Sequence, residues 1–410
     1  MPKVLTKECI GAIDKLNAIG DELKEFIMER EEVINLIKLA LVSKRNLFFL
    51  GKTGQAKSFI IKEFNKRITG SNYMELLMNK MMDKDEIYGR LDIPELVNGN
   101  QKVITTGKLP ESDIAFYDEI FKSNDLLLNT LLQSLNYEDV NLEGNTYPAR
   151  HLSIFSASNE IPNFKNKEED KILYPLYNRL HLKVVTNYIE KKDNFKKAIK
   201  MKRARHGTKP QATIKLNEIK ILNEKVWDVE VSEEIDELVW KISKDISNKL
   251  NRPVSDRKLI ESSIILQGYA LLNKRGKVEP RDLKVLEYYL WESPEEIQVI
   301  REIIKANSDN PLKEKVMGVK SLVVEQLEDA YSMVDSEDTR AKNKTFSKTE
   351  KELLNLHSEL ESLKDTIKTD EDNRIIDKML VEFENLYKEL NEKFGYTYTS
   401  IGEMKERMGI

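Results

Sequence analysis

The segment from residue 51 to residue 58 carries the residue types that hold a nucleoside triphosphate. It lies between a short apolar run and a helical pattern and reads Gly51, Lys52, Thr53, Gly54, Gln55, Ala56, Lys57, Ser58. Such a loop turns backbone N–H groups around phosphate oxygens, its lysine neutralises the β- and γ-phosphates, and its serine hydroxyl reaches Mg²⁺. Ala56 stands where the pattern G-x-x-x-x-G-K-[ST] has glycine, and we expect its methyl group to fit if φ is negative there. The loop therefore predicts a site for a nucleoside triphosphate and Mg²⁺.

Two adjacent carboxylates end a second apolar run about sixty residues downstream. Asp118 and Glu119 directly follow the apolar residues 114–117. Because neighbouring side chains at a strand end point in opposite directions, one carboxylate can hold Mg²⁺ through water while the other faces an attacking water. We predict that Asp118 holds Mg²⁺ together with Ser58, and that Glu119 is the general base. An Asp-Glu pair at a strand end is commonly only solvated, so this prediction depends on the phosphate loop.

A third apolar run, residues 152–157, is followed by the amide Asn159. An amide could orient water beside the γ-phosphate without repelling it, although asparagine at a strand end is more often a turn former. The functional interpretation depends on the order of the motifs along the chain, because Asn159 is the third polar site that follows a predicted strand.

These residues need a parallel sheet to bring them together. Apolar segments alternate with helical patterns, which predicts an α/β fold whose parallel sheet is covered by helices on both faces. The predicted strands are 46–50, 73–77, 114–117, 152–157 and 182–185. Residues 88–109 interrupt this order, and they predict an inserted β-hairpin with Asn98-Gly99 as its turn.

The rest of the chain predicts helical regions around this nucleotide-binding core. Residues 191–210 are rich in lysine and arginine and indicate a helix end plus a loop. Two helical seams, 353–367 and 376–394, flank the polar residues 369–373, which favours an antiparallel hairpin, either a coiled coil or a plain two-helix packing. The predicted regions are an N-terminal helix (1–30), the α/β core (31–190), a basic linker (191–225), a helical lid (226–307) and a C-terminal helical region (308–410).

Composition limits the partners and the compartment. The 410 residues include 66 Lys plus Arg and 70 Asp plus Glu, a net charge of -4, which disfavours nonspecific binding to nucleic-acid phosphates. The single cysteine, Cys9, fits a reducing compartment, and the four scattered histidines show no metal-ligand spacing. No apolar run reaches the roughly 18 to 20 residues of a membrane span. We therefore expect a cytoplasmic protein.

Several separated motifs, in one order, resemble the MoxR family of AAA+ ATPases and most of all its RavA-like members. They lie between about Leu36 and Trp291 and read TTGKLPE (105–111), FYDEIFK (116–122), LNTLL (128–132) and SASNEIP (156–162). The resemblance implies that Lys57 and Ser58 are the phosphate-binding lysine and the Mg²⁺-binding hydroxyl. It also implies that Asp118 and Glu119 are the Walker B pair and that Asn159 is the sensor-one residue.

The resemblance further implies two arginines and a ring. Arg179 resembles the arginine finger that one subunit supplies to its neighbour's nucleotide, although family members usually have aspartate where Asn178 stands. Arg257 resembles the sensor-two arginine of the lid. RavA-like proteins form hexameric rings, and the insertion at 88–109 resembles the one that lines or rims the central opening. The family often works with a von Willebrand factor A (VWA) domain partner. After Trp291 this chain continues with helices instead of the family's small β-rich domain.

Three functions follow as hypotheses. The first is an ATP-driven remodeller of a protein client, chaperone-like, for example one that inserts a metal cofactor; the sequence does not name the client. The second is a nucleic-acid motor or clamp that uses the basic stretch near Phe195. The third is a nucleotide-gated scaffold with little turnover, which the intact Glu119 disfavours.

Overall fold

The chain divides into two compact units, residues 1–308 and 309–410. The computed structural model describes residues 5–164, 173–204, 209–308, 311–334, 338–364 and 370–408. The first unit contains the predicted phosphate loop and the lid, and the regular elements described in the second unit are helices. Each unit has its own hydrophobic core.

A five-stranded parallel sheet forms the centre of the first unit. Its strands are β1 (Leu47–Leu50), β2 (Tyr73–Leu77), β3 (Ile114–Asp118), β4 (Ser153–Ser158) and β5 (Leu182–Val185), in the order β5-β1-β4-β3-β2. All neighbours are parallel, so the carboxyl ends of the strands lie at one edge. β1 and β4 are buried along their whole length, as expected for strands covered on both faces. The predicted α/β fold is confirmed.

Helices before and after the sheet cover it. The first two predicted helices are present as α1 (Lys7–Phe26) and α2 (Glu31–Ser43). Within the part of the core that the structure describes, the other α-helices are α3 (Lys57–Asn65), α4 (Lys84–Tyr88), α5 (Ile93–Val97), α6 (Asp125–Leu135) and α7 (Tyr174–Tyr177).

The insertion differs from the predicted tight hairpin. Two short antiparallel strands, Arg90–Leu91 and Val103–Ile104, do pair, but α5 lies between them. The side chain of Asp92 caps this helix by accepting from the N–H of Glu95 at 3.4 Å, and Pro94 occupies its first turn. Gly99, with φ +84°, follows the end of that helix. Asn98-Gly99 is therefore not a hairpin turn.

A second hairpin was not predicted. Strand Val140–Leu142 pairs antiparallel with Asn145–Tyr147 through the turn Glu143-Gly144, where both residues have positive φ. Glu-Gly is a weaker turn signal than Asn-Gly or Asp-Gly, which explains the omission. Lys84 and Glu143 form an ion pair of 2.7 Å that connects this hairpin to α4.

The basic segment is more helical than predicted. Helix α8 (Lys192–Arg203) buries none of its side chains, and α9 (Leu216–Val226) packs on α1 and α2. Residues 205–208, including Arg205 and His206, lie outside the described residues. The segment that we expected to be a linker thus contains two helices.

The lid is helical, as predicted. It contains α10 (Glu233–Leu250), α11 (Asp256–Leu272), a 3₁₀ segment (Pro280–Tyr288) and α12 (Ile297–Ser308). Trp291 is buried where the lid meets the core, with the ammonium of Lys183 on β5 5.5 Å from its ring centroid. Across both units, no helix in the described part of the chain combines the length and the apolar character that crossing a membrane requires.

The second unit is a bundle of three long helices instead of a two-helix hairpin. Helices α13 (Pro311–Tyr331), α14 (Thr339–Lys364) and α15 (Asp370–Phe394) pack on one another, and a short α16 (Ile401–Met408) follows. Seam residues such as Leu360 and Phe383 are fully buried, as their spacing predicts. The predicted turn at 369–373 falls partly outside the described residues, since 365–369 are not described.

Candidate nucleotide-binding site

The phosphate loop continues directly from β1 into α3, at the carboxyl edge of the sheet. The N–H of Gly51 donates to the carbonyl of Ser158 on β4 at 3.0 Å, which fixes the start of the loop. A Cβ at Gly51 would lie 2.1 Å from Gln55 Oε1 and 2.2 Å from Thr186 Oγ1. Only glycine fits there, and the two side chains close the base of the loop through a 2.6 Å hydrogen bond.

Ala56 contradicts our expectation of a negative φ. Its φ is +62° and its ψ is +25°, which is the left-handed region that favours glycine. The carbonyl of Ala56 accepts the N–H of Ile60 at 3.0 Å, so the strained residue also begins α3. The loop keeps the left-handed conformation that glycine permits at this position of the motif. In this chain the Cβ of Ala56 makes that conformation strained.

We expect Ala56→Gly to stabilise the first unit by on the order of 1 kcal/mol, because it removes the left-handed strain at a position where the side chain is exposed. The midpoint of urea unfolding of the full chain, followed by near-UV circular dichroism, should rise. Ala198→Gly, within the ordinary helix α8, is the matched control and should not raise it. An unchanged or lower midpoint for Ala56→Gly would contradict this account of the loop.

Lys57, Asn159 and Glu119 form a connected polar chain beside the loop. The Lys57 ammonium donates to the Gly51 carbonyl and, at 3.3 Å, to Asn159 Oδ1. The amide nitrogen of Asn159 donates to Glu119 Oε1 at 2.7 Å and to Thr53 Oγ1 at 3.2 Å. Asn159 therefore touches the loop, the lysine and the predicted base at once, and the structure brings these predicted residues together.

Glu119 has a strained backbone and a buried carboxylate, as expected of a general base. Its backbone is left-handed, with φ +57°, and the residue is 9% exposed. Its Oε2 is buried and has no hydrogen-bond partner among the described residues. An unpaired buried carboxylate oxygen is costly, and active sites are where such strain is commonly kept. This oxygen therefore has lone pairs that are free to accept a hydrogen bond.

Ser58 and Asp118 fit a magnesium ion. Ser58 lies in the first turn of α3, and Asp118 ends β3, one strand away from β4 and two from β1. Burial and the neighbouring Glu119 charge raise the pKa of Asp118, while the Lys57 ammonium opposes this rise. Burial lowers the pKa of Lys57, and the Asp118 and Glu119 charges oppose that change. Two cations face the two acidic groups, because the Lys122 ammonium lies 3.5 Å from Glu119 Oε1 and the Lys57 ammonium also acts on this site. Carboxylate and hydroxyl oxygens are the ligands that Mg²⁺ prefers, so Asp118 and Ser58 are its candidate ligands.

The two predicted arginines lie together at the opposite edge of the sheet. Arg179 Nε donates to Asn136 Oδ1 at 2.7 Å, and a terminal nitrogen of Arg257 donates to the same oxygen at 2.9 Å. Asn46, which precedes β1, holds this region by donating to the carbonyls of Arg179 and Leu135. Burial, followed by the Arg257 charge, lowers the pKa of Arg179. The structure joins these two residues to each other and not to the phosphate loop of the same chain.

An ion pair with Glu261 orients Arg257, whose side chain is about half exposed. Glu261 accepts from Arg257 Nε at 3.0 Å and from His181 Nε2 at 2.9 Å. Burial opposes the charged form of Glu261, but the His181 hydrogen bond and the Arg45 and Arg257 side chains outweigh it and lower its pKa to about 2. Burial lowers the pKa of His181 to about 4, so this histidine is neutral at pH 7. The guanidinium is thus held by a permanent carboxylate.

Comparison with known protein families shows which family this chain belongs to. Residues 14–224, more than half of the chain, match the family described as the MoxR domain in the MoxR-vWA-beta-propeller ternary systems. Residues 234–304 match the AAA lid domain. The chain belongs to the MoxR family of AAA+ ATPases. The resemblance to its RavA-like members stays a prediction, since the description of the matched family does not name them.

Two uncharacterized relatives and one solved structure are similar to this chain. The uncharacterized Methanocaldococcus jannaschii protein MJ0079 is 29% identical over 95% of this chain and 98% of its own length. Uncharacterized MJ0812 of the same organism is 31% identical over 72% of this chain and 76% of its own. A crystal structure of a candidate ATPase from Cytophaga hutchinsonii matches with a TM-score of 0.58 at 16% identity, over 73% of this chain and 95% of that one. The last likeness concerns the fold alone.

Two parts of the MoxR site were missed from sequence. Asn136, the shared acceptor of both arginines, ends α6 and shows no motif of its own. Thr186 and Tyr188, which bond the phosphate loop, follow β5 at the carboxyl edge. Polar residues after a predicted strand were the signal that found Asp118 and Asn159, and the same signal would have found these two.

Proposed function

We propose that this MoxR protein binds ATP with Mg²⁺ at the loop of residues 51–58 and hydrolyses it. The observation that carries the proposal is the amide of Asn159, which joins Lys57 and Glu119 within hydrogen-bond distance beside the loop. A phosphate-neutralising cation, a water-orienting amide and an unpaired buried carboxylate oxygen are the groups that phosphoryl transfer to water requires.

Each residue has a defined role in this proposal. Lys57 binds the β- and γ-phosphates after leaving the Gly51 carbonyl, and the loop N–H groups surround the phosphate oxygens. Ser58 and Asp118 would hold Mg²⁺, which supplies charge neutralisation between the phosphates when bound. Asn159 orients a water molecule, and Glu119 Oε2 accepts its proton.

Arg179 and Arg257 act on the nucleotide of a second subunit. β1 separates their edge of the sheet from the phosphate loop by roughly 16 Å, taking about 3.3 Å per residue. Both guanidiniums are fixed on Asn136 at the far edge, so they do not reach their own loop. A head-to-tail ring, hexameric in RavA-like proteins, would place this edge against the neighbour's phosphates.

The proposal is tested by nucleotide binding of Lys57→Ala. The lysine makes charge-assisted bonds worth about 1.5–3 kcal/mol, so we expect ATP affinity with Mg²⁺ to fall about 10- to 150-fold in isothermal titration calorimetry. Lys62→Ala is the matched control, because Lys62 is an exposed lysine on α3 outside the loop and should change affinity little. Equal affinities of the wild type and Lys57→Ala would refute this binding mode.

We further propose that hydrolysis drives remodelling of a protein client together with a VWA-domain partner. The support is the name of the matched domain, which refers to ternary systems of MoxR, vWA and beta-propeller components. The client stays unnamed, and metal-cofactor insertion stays one form that remodelling could take. A nucleic-acid motor or clamp is a second candidate, because helix α8 is basic and exposed. Stimulation of ATP hydrolysis by DNA, with DNA binding that weakens steeply as salt rises, would favour it.

A further inference from the structure

The residues that follow β5 fold directly against the phosphate loop. Thr186 donates its N–H to the carbonyl of Leu50 at 2.8 Å and its hydroxyl to Gln55 Oε1 at 2.6 Å. Two residues later, the Tyr188 hydroxyl donates to the carbonyl of Thr53 at 3.2 Å. This short segment therefore runs along the side of the loop and ends with an aromatic ring tethered to it.

The connection between α1 and α2 fixes the same segment from its other side. The guanidinium of Arg30 donates to the carbonyl of Asn187, and Arg30 is 7% exposed. The Glu29 carboxylate accepts the N–H groups of Glu190 and Lys191 at 2.9 and 3.0 Å, and these bonds help to lower its pKa to about 2. Tyr188 thus lies between two anchored points, so its backbone position is well determined.

The ring of Tyr188 is open although its hydroxyl is bonded. The residue is 54% exposed, which is unusual for an aromatic side chain that two neighbouring anchors hold beside a binding loop. A fixed, exposed aromatic face is the common platform for a nucleic base, because every base has a π-face that can stack on it. Phe59, which follows Ser58 and is 45% exposed, is the competing ring, but it lies on α3 and has no polar group to tether it.

We propose that the Tyr188 ring is the face on which the purine base of the bound nucleotide stacks. This inference rests on the proposed nucleotide site and adds the residue that holds the base. Stacking of one base on an aromatic side chain is worth about 1–3 kcal/mol, which corresponds to about a 5- to 150-fold change in affinity. Stacking contacts the π-face of the base and not its edge, so the affinities for ADP and GDP should depend equally on the Tyr188 ring.

Calorimetric titrations with ADP and with tripolyphosphate test the proposal. We expect Tyr188→Ala to weaken ADP binding about 5- to 150-fold and to leave tripolyphosphate binding unchanged, because tripolyphosphate has no base. Tyr188→Phe should bind ADP nearly as the wild type does, since it keeps the ring and loses only the tether to Thr53. Phe195→Ala removes an equally exposed aromatic ring from α8 and should change neither ligand.

A fluorescent variant gives a readout that a folding defect would not imitate. In Tyr188→Trp, emission should change on addition of ADP and stay constant on addition of tripolyphosphate, whereas Phe195→Trp should respond to neither. Wild-type ADP affinity in Tyr188→Ala, equal losses for both ligands, or loss of ADP in Phe59→Ala instead would overturn the assignment. Wild-type protein that binds neither ligand would overturn the nucleotide site as well, and this result is distinct from the others.

Discussion

Glu119→Gln is expected to slow ATP hydrolysis by about 10²- to 10⁴-fold while ATP still binds, because the variant removes the general base and keeps the shape of the side chain. The glutamine oxygen can still accept the Asn159 amide hydrogen bond that Glu119 Oε1 accepts at 2.7 Å. What the variant loses is the negative charge on the buried, unpaired Oε2. Phosphate release under single-turnover conditions measures the chemical step, and titration with ATP measures binding.

Glu160→Gln is the matched control for this experiment. Glu160 directly follows Asn159 at the same edge of the sheet, but it is exposed, and its N–H points to Ser158 Oγ. Its substitution should leave turnover within about twofold, since an exposed carboxylate has no special reactivity. If Glu119→Gln hydrolysed ATP at the wild-type rate, another group would have to be the base, and the scaffold alternative would be excluded too. A wild type that binds ATP without turnover would instead favour the scaffold.

The residues at the carboxyl edge of the sheet were predictable because each of them is close in sequence to the strand that positions it. Each of Lys57, Asp118 and Asn159 follows an apolar run within a few residues, and a parallel sheet brings such positions to one edge whatever else the chain does. The left-handed Ala56 was not predictable, since a backbone angle depends on the loop as a whole and alanine alone argues for negative φ. The α5 helix inside the insertion was missed because Asn98-Gly99 signals both a hairpin turn and a helix end.

The amino edge of the sheet was less predictable because its contacts join distant segments. Asn136, Arg179 and Arg257 come from α6, the residues after α7 and the first turn of α11, and no spacing in the sequence relates them. Family resemblance supplied the two arginines but not their common acceptor. Only the folded lid, with Glu261 paired to His181 across more than seventy residues, places Arg257 beside Arg179.

Arg179→Ala is expected to lower hydrolysis by about 10³- to 10⁵-fold in an assembled ring, because an arginine finger stabilises charge in the transition state. The same variant should bind ATP with nearly unchanged affinity as an isolated subunit, since Arg179 lies at the far edge from its own loop. Steady-state turnover measured against protein concentration checks both statements. Arg150→Ala is the control, an exposed arginine that precedes β4 at the same edge.

Mixing two inactive variants separates action on the neighbour from action within one chain. Arg179→Ala keeps Glu119, and Glu119→Gln keeps Arg179, so a subunit of the first beside a subunit of the second rebuilds one complete site. Equal mixing should recover roughly a quarter of wild-type turnover if subunits pair at random in a head-to-tail ring. The double variant mixed with an equal amount of Arg179→Ala should recover nothing. Because each chain's arginines are held on Asn136 behind β1, an absence of recovery in the first mixture would mean that the lid and α7 reorganise to bring Arg179 to its own loop.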